Sequence, residues 1–111
     1  MREILLNNKK CCEICGVANK ELLITSHIKP WAKSNKTEKL DCENVLLLCP
    51  THDALFDKGL ISFDDNGKII ISSNLDSNDR VLLHLTGKEK IFVNSENKRK
   101  YLRFHRENVF K

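Results

Sequence analysis

The sequence predicts a small α+β domain, and three observations carry that prediction. The chain has 111 residues, enough for one domain with a thin core. Its strand-like runs, ELLITSH, NVLLLC and the pair in GLISFDDNGKIIIS, do not alternate regularly with helices as a parallel α/β sheet would require. Cysteine and histidine recur at short spacing, the kind of staple that a small domain uses in place of a large core. Apolar residues at 41% and charged residues at 31% are ordinary for a folded chain and argue against disorder.

The elements follow in order. REILL (2–6) suits a turn or two of helix, and CCEICG (11–16) is a tight cysteine loop closed by glycine. ELLITSH (21–27) is apolar and β-branched, a strand that Pro30 helps to end. KSNKTEKLDCEN (33–44) is polar and expected as a long loop, and its length makes it a candidate for function. NVLLLC (44–49) is the second strand. PTHDALFDKG (50–59) reads as a helix with Pro at its first position and Gly beyond its last. Residues 60–72 form two short strands around DDNG, because Asn-Gly tolerates left-handed turn geometry. Residues 75–93 fit helix or strand equally. NSENKRKYLRFHRENVF, about 95–110, is an amphipathic helix with Tyr101, Leu102, Phe104 and Val109 on its buried side.

Charge and cysteine use narrow the function. MREILLNNKK lacks the apolar run of a signal peptide and no stretch reaches membrane-spanning length, so a cytoplasmic location and no membrane partner are expected. A reducing compartment favours metal ligation over disulfides, and five cysteines is an odd number. The net charge is +4, and the last segment carries six Lys or Arg against Glu96 and Glu107. That strip suits a phosphate backbone, and it equally suits a solvated helix face.

Cys12-x2-Cys15 and Cys49-x2-His52 are two ligand pairs separated by 33 residues. Zinc takes four such ligands in a tetrahedron, and a two-residue spacer lets both members of a pair reach one ion. Cys11 in place of Cys12 would stretch the spacer. Cys42 has no partner at ligand spacing and reads as a small loop or core residue. With four protein ligands no coordination position stays open, so this zinc is structural.

Asp53 and Asp57 lie at i and i+4 on the predicted helix, where like charges repel. Asp53 is near the positive helix N-terminus, whereas Asp57 is not. A hard divalent cation shared by both would account for the pair, since Mg²⁺ commonly takes one or two carboxylates with water and phosphate oxygens. His27 stands at the end of the first strand, and histidine is a residue type suited to general-base work. Asn44 ends the polar loop, where its side chain could hold backbone groups. Trp31, beside Pro30, is expected mainly in the core.

Taken in order, His27, Asn44 and the helix bearing Asp53 and Asp57 resemble the HNH nucleases, whose catalytic unit is strand, loop, strand, helix. The likeness is strongest to a bacterial branch with strings such as SHIKPW (26–31), LDCEN (40–44), DALFDKGLISF (53–63) and a terminal HRENVF (105–110), and it runs from Cys12 to the C-terminus. The resemblance implies a single HNH domain, 1–111, with a zinc knuckle (11–16), a ββα-metal unit (about 21–59), a hairpin (about 60–72) and a C-terminal helix. It implies His27 as the general base, Asn44 as the residue that orients the loop, and Asp53 and Asp57 as catalytic metal ligands. It implies structural Zn²⁺ at the cysteine–histidine quartet and catalytic Mg²⁺ or Mn²⁺. DNA is then the partner, with Lys29, Lys33, Lys36, Arg99, Arg103 and Arg106 as candidate contacts. One departure stands out: many relatives carry a metal-binding His or Asp just before the base, where this chain has Ser26. A zinc-stabilised nucleic-acid-binding module without catalysis is the competing reading. So small a chain has little room for a specificity domain, so a homodimer or a partner protein is also expected, in a role such as restriction or phage defence.

Overall fold

The computed structural model describes residues 1–111. A short helix α1 (Arg2–Asn8) leads into the cysteine loop, and strand β1 (Ile24–His27) pairs antiparallel with β2 (Val45–Leu48), in a register that sets His27 opposite Val45. Helix α3 (Pro50–Asp57) follows β2 directly, with Cys49 as N-cap and Pro50 in the first turn. The hairpin β3 (Ile61–Phe63) and β4 (Ile69–Ile71) forms a second two-stranded sheet. A short α4 (Ser77–Leu82) and the long α5 (Glu96–Asn108) complete the chain. The ambiguous 75–93 segment is helical only over α4, started by Asp76 capping Asn78 N–H, and it returns to the hairpin through a bridge between Lys68 and Lys90.

The loop expected between the strands is more ordered than its polarity suggests. It holds a 3-10 turn (Trp31–Lys33), helix α2 (Lys36–Leu40) and a second 3-10 turn (Cys42–Asn44). The cause is a capping box: Asn35 accepts from Glu38 N–H, and the Glu38 carboxylate accepts from Asn35 N–H. The N-x-x-E spacing in the sequence is the signature of that box.

β2 is buried along its whole length, although it belongs to a two-stranded sheet. The cysteine loop covers its outer edge: Glu13 N–H donates to Leu47 O at 2.9 Å, and Leu47 N–H donates to the Glu13 carboxylate at 2.8 Å. An edge that would otherwise pair with another chain is thereby closed. Leu46, Leu47, Leu48, Phe56, Ile61, Phe63 and Leu102 are the centre of the core.

α5 packs differently from its hydrophobic pattern. Tyr101 and Leu102 are buried, but Phe104 and Val109 are only half-buried, while Lys98 and His105 lie inside. His105 stacks on Phe56 with centroids 3.8 Å apart and planes 2° from parallel. Its Nε2–H donates to Phe56 O at 2.9 Å, so Nδ1 is the acceptor for the Ser62 hydroxyl at 2.7 Å. A satisfied imidazole can occupy a core position that a hydrophobicity count reads as surface. At the DDNG turn only Gly67 has a positive φ, +84°, whereas a two-residue turn of the kind that Asn-Gly favours needs both central residues there. Asp64 O accepts from Gly67 N–H and Asp64 N–H donates to Lys68 O, so the loop is longer by one residue.

Candidate active site and metal cluster

α3 presents side chains to two different environments. On one side, the ligand atoms of Cys12, Cys15, Cys49 and His52 lie within 4.8 Å of one another. A zinc tetrahedron with Zn–S of about 2.3 Å and Zn–N of about 2.0–2.1 Å sets S···S near 3.8 Å and S···N near 3.5 Å. The structure gives 3.8 Å between the Sγ atoms of Cys15 and Cys49, with His52 Nδ1 3.9 Å from Cys12 Sγ and 3.2 Å from Cys49 Sγ. The quartet therefore has the spacing and the donor set of a zinc site. Burial pushes the Cys12 thiol up, but the bond from His52 and backbone donors outweigh it and bring the thiol down to about 6. Cys15 is pushed up to about 12 by burial, helped by the neighbouring Cys12 thiolate. One thiolate is favoured and the next opposed, a competition that a divalent cation relieves. Cys11 stands outside the quartet, and Cys42 is exposed against Met1 Sδ rather than in the core.

On the other side of α3, an open cleft of about 290 Å³ is lined by Ile24, Ser26, His27, Trp31, Asp53 and Asp57, among others. β1 delivers Ser26 and His27, and α3 delivers both carboxylates. His27 Nε2 is 3.0 Å from Lys39 O. A carbonyl only accepts, so in the neutral ring Nε2 carries the proton and Nδ1 keeps its lone pair. Asp53 is pushed up by burial and by the charge of Asp57, and the Ser26 hydroxyl, which bonds its carboxylate, works in the opposite direction. Two carboxylates whose charges oppose each other in one cleft suit a hard divalent ion that needs few protein ligands. Ser26, the residue before His27, bonds the Asp53 carboxylate and adds no third carboxylate or imidazole to the cleft.

Asn44 is fully buried and does not line the cleft. Its Oδ1 accepts from Lys29 N–H at 2.8 Å, and its Nδ2 donates to Glu38 O at 3.0 Å. It ties the two ends of the inter-strand segment together, one residue before Lys39, whose carbonyl holds His27.

The candidate DNA contacts divide. Lys33 and Lys36 are exposed beside the cleft's segment. Lys29 is engaged with Glu38 at 2.9 Å and lies 4.9 Å from the Phe104 ring centroid. The arginine strip is largely committed within the chain. Arg106 bonds Phe63 O and Asp65, Arg103 reaches Asp65 and Glu96, and Arg99 pairs with Glu96. Together they clamp the hairpin, because Asp65 sits at its tip. Trp31, expected mainly in the core, is 56% exposed, and its ring stands nearly perpendicular to that of His27 at 5.3 Å. The 3-10 turn after Pro30 swings it outward, which no residue pattern in SHIKPW foretells.

Two antiparallel strands joined by a long connection and followed at once by a helix, with a histidine on the first strand and acids on the helix, are the ββα-metal arrangement. Comparisons agree: residues 12–64 match the HNH_2 family, described as HNH endonuclease. The fold is also similar to that of a modification-dependent TagI restriction endonuclease, with a TM-score of 0.55 and 21% identity over 96% of this chain. This chain spans 36% of that protein's length. A search of curated proteins returns no match. The fold is HNH-like, and the family match is confined to residues 12–64.

Proposed function

We propose that the chain is a metal-dependent endonuclease that hydrolyses DNA phosphodiester bonds. The observation that carries the reading is the meeting of His27, with its free Nδ1, and the Asp53–Asp57 pair in one solvent-open cleft. His27 Nδ1 takes a proton from a water as that water's oxygen bonds to phosphorus, and the bond to the 3′ oxygen breaks. The Lys39 carbonyl holds the ring in the tautomer this requires and stabilises the imidazolium that results. Asp53, oriented by Ser26, and Asp57 would hold a single Mg²⁺ or Mn²⁺, which when bound supplies positive charge for the scissile phosphate and the leaving oxygen. Asn44 fixes the segment that carries Lys39. The quartet would hold zinc as a structural ion. DNA is the partner in this reading, with Lys33 and Lys36 as the free cations near the cleft. A second copy or a partner protein would be needed to cut both strands from one cleft, and restriction or phage defence is the role in keeping with the named neighbour.

The test is plasmid cleavage by the zinc-loaded protein, beside His27→Ala, with Mg²⁺, Mn²⁺ or no added divalent ion. Metal-dependent cutting that falls about 10²–10⁴-fold in the variant is the expected result. A folded, zinc-replete wild type that binds DNA but cuts under no metal would replace this reading with the binding module.

A further inference from the structure

The cleft contains one large side chain that the hydrolytic reading does not use. Trp31 is the chain's only tryptophan, and it lines the cleft beside His27, Asp53 and Asp57 while leaving more than half its surface in solvent. A chain that buries Leu46, Leu48, Phe56 and Phe63 completely has left its largest aromatic outside. The turn that carries the ring is tied down. Pro30 precedes it, and the Ser34 hydroxyl lies 3.1 Å from both Lys29 O and Pro30 O, while Ser34 N–H donates to Trp31 O. The His27 ring stands perpendicular to it at 5.3 Å. Lys39 Nζ sits 4.5 Å from its centroid, so a cation accompanies the indole where phosphates would pass. An exposed aromatic on a tied turn, with a neighbouring cation, is what an unstacked base requires: a π-face to lie on and a charge for its phosphate.

Resting on the nuclease reading above, we infer that Trp31 and Lys39 form a base-stacking subsite beside the scissile phosphate. The favoured substrates are then DNAs with an unpaired nucleotide at the cut, such as single strands, flaps and mismatches. In regular duplex both faces of every base are already covered, so only an unpaired base can use the indole.

The single tryptophan makes the test direct. Titrating the protein, without added divalent ion, with a single-stranded oligonucleotide and with the duplex of the same sequence should change Trp31 fluorescence strongly for the first and weakly for the second. With Mg²⁺, Trp31→Ala should raise KM for an unpaired substrate about tenfold or more, with a smaller change in kcat, so that the preference over duplex shrinks by a similar factor. Trp31→Phe, which keeps a π-face, should recover most of the loss, and zinc content should be unchanged in both. Equal losses on paired and unpaired substrates would overturn the subsite in favour of a sugar contact, and a loss confined to kcat would reduce Trp31 to a support for His27. Fluorescence that stays constant while a mobility shift records binding would also overturn it. In each of these cases wild-type cleavage leaves the nuclease reading standing. A wild type that neither binds nor cuts DNA removes both.

Discussion

His52 and Asp53 are adjacent in sequence, yet they belong to opposite kinds of site. His52 is buried and turned to three cysteines at ligand distance, in a cluster with no position left open. Asp53 is half-exposed and turned to a cleft in which its charge is opposed by Asp57. One face of α3 is saturated and the other is not. The lesson is that a single helix can be held by a closed cluster of ligand atoms on one side and still present an open carboxylate pair on the other.

The comparison breaks most completely if the saturated side is removed. Cys49→Ser is expected to lose zinc and cooperative folding together, since structural zinc in small domains carries on the order of 10 kcal/mol. Zinc analysis beside circular dichroism checks this, and a folded variant with a full zinc complement would show that the quartet does not bind the ion.

A smaller effect comes from the support beneath α3. His105 is driven down to about 4 by burial, against an unfolded value near 6.5, although the Phe56 carbonyl works the other way. The unfolded chain therefore takes up a proton between those values and the folded chain does not. Stability present above pH 6.5 is lost as pH falls toward 4, by about 3 kcal/mol at most. Urea unfolding across that window, at saturating zinc, should give a flatter dependence for His105→Gln than for wild type. Parallel dependences would refute the assignment.

The smallest effect separates the two faces of the helix. Asp57→Asn should raise the Mg²⁺ needed for half-maximal cleavage roughly tenfold or more. It should leave zinc content unchanged and raise stability by a few tenths of a kcal/mol, because the i, i+4 repulsion is gone. An unchanged Mg²⁺ titration would take Asp57 out of the site.

Much of this was legible in the sequence for physical reasons. Ligand spacing states which side chains can share an ion, and Pro50 and Gly59 mark the ends of α3 before any coordinates exist. The two strands and the hairpin follow from apolar runs and turn residues. What stayed hidden depends on partners distant in the chain. The burial of His105 needs Phe56 and Ser62, the exposure of Trp31 needs the turn that follows Pro30, and the bond to the Asp53 carboxylate comes from Ser26 on β1. The capping box at Asn35 and Glu38 is the exception, since its signal is local and was outweighed by the polarity of the segment. The arginine strip shows the same limit: its charge is visible in the sequence, but Asp65, the hairpin acid that engages Arg103 and Arg106, is distant in the chain.

Gly59 carries a consequence for how much chain the site requires. Its φ is +73°, and a methyl group there would lie 2.0 Å from Val109 O, while Lys111 N–H donates to Gly59 O. The end of the last helix thus rests on the residue that terminates α3, just beyond Asp57. Tyr101 meanwhile donates to Asp41 in the inter-strand segment, and His105 lies flat under Phe56. The stretch that matches the HNH family stops at residue 64, so these partners all come from outside it. The last helix therefore stacks under Phe56, bonds the inter-strand segment and closes on the residue that ends α3, three supports that the matched stretch does not carry itself.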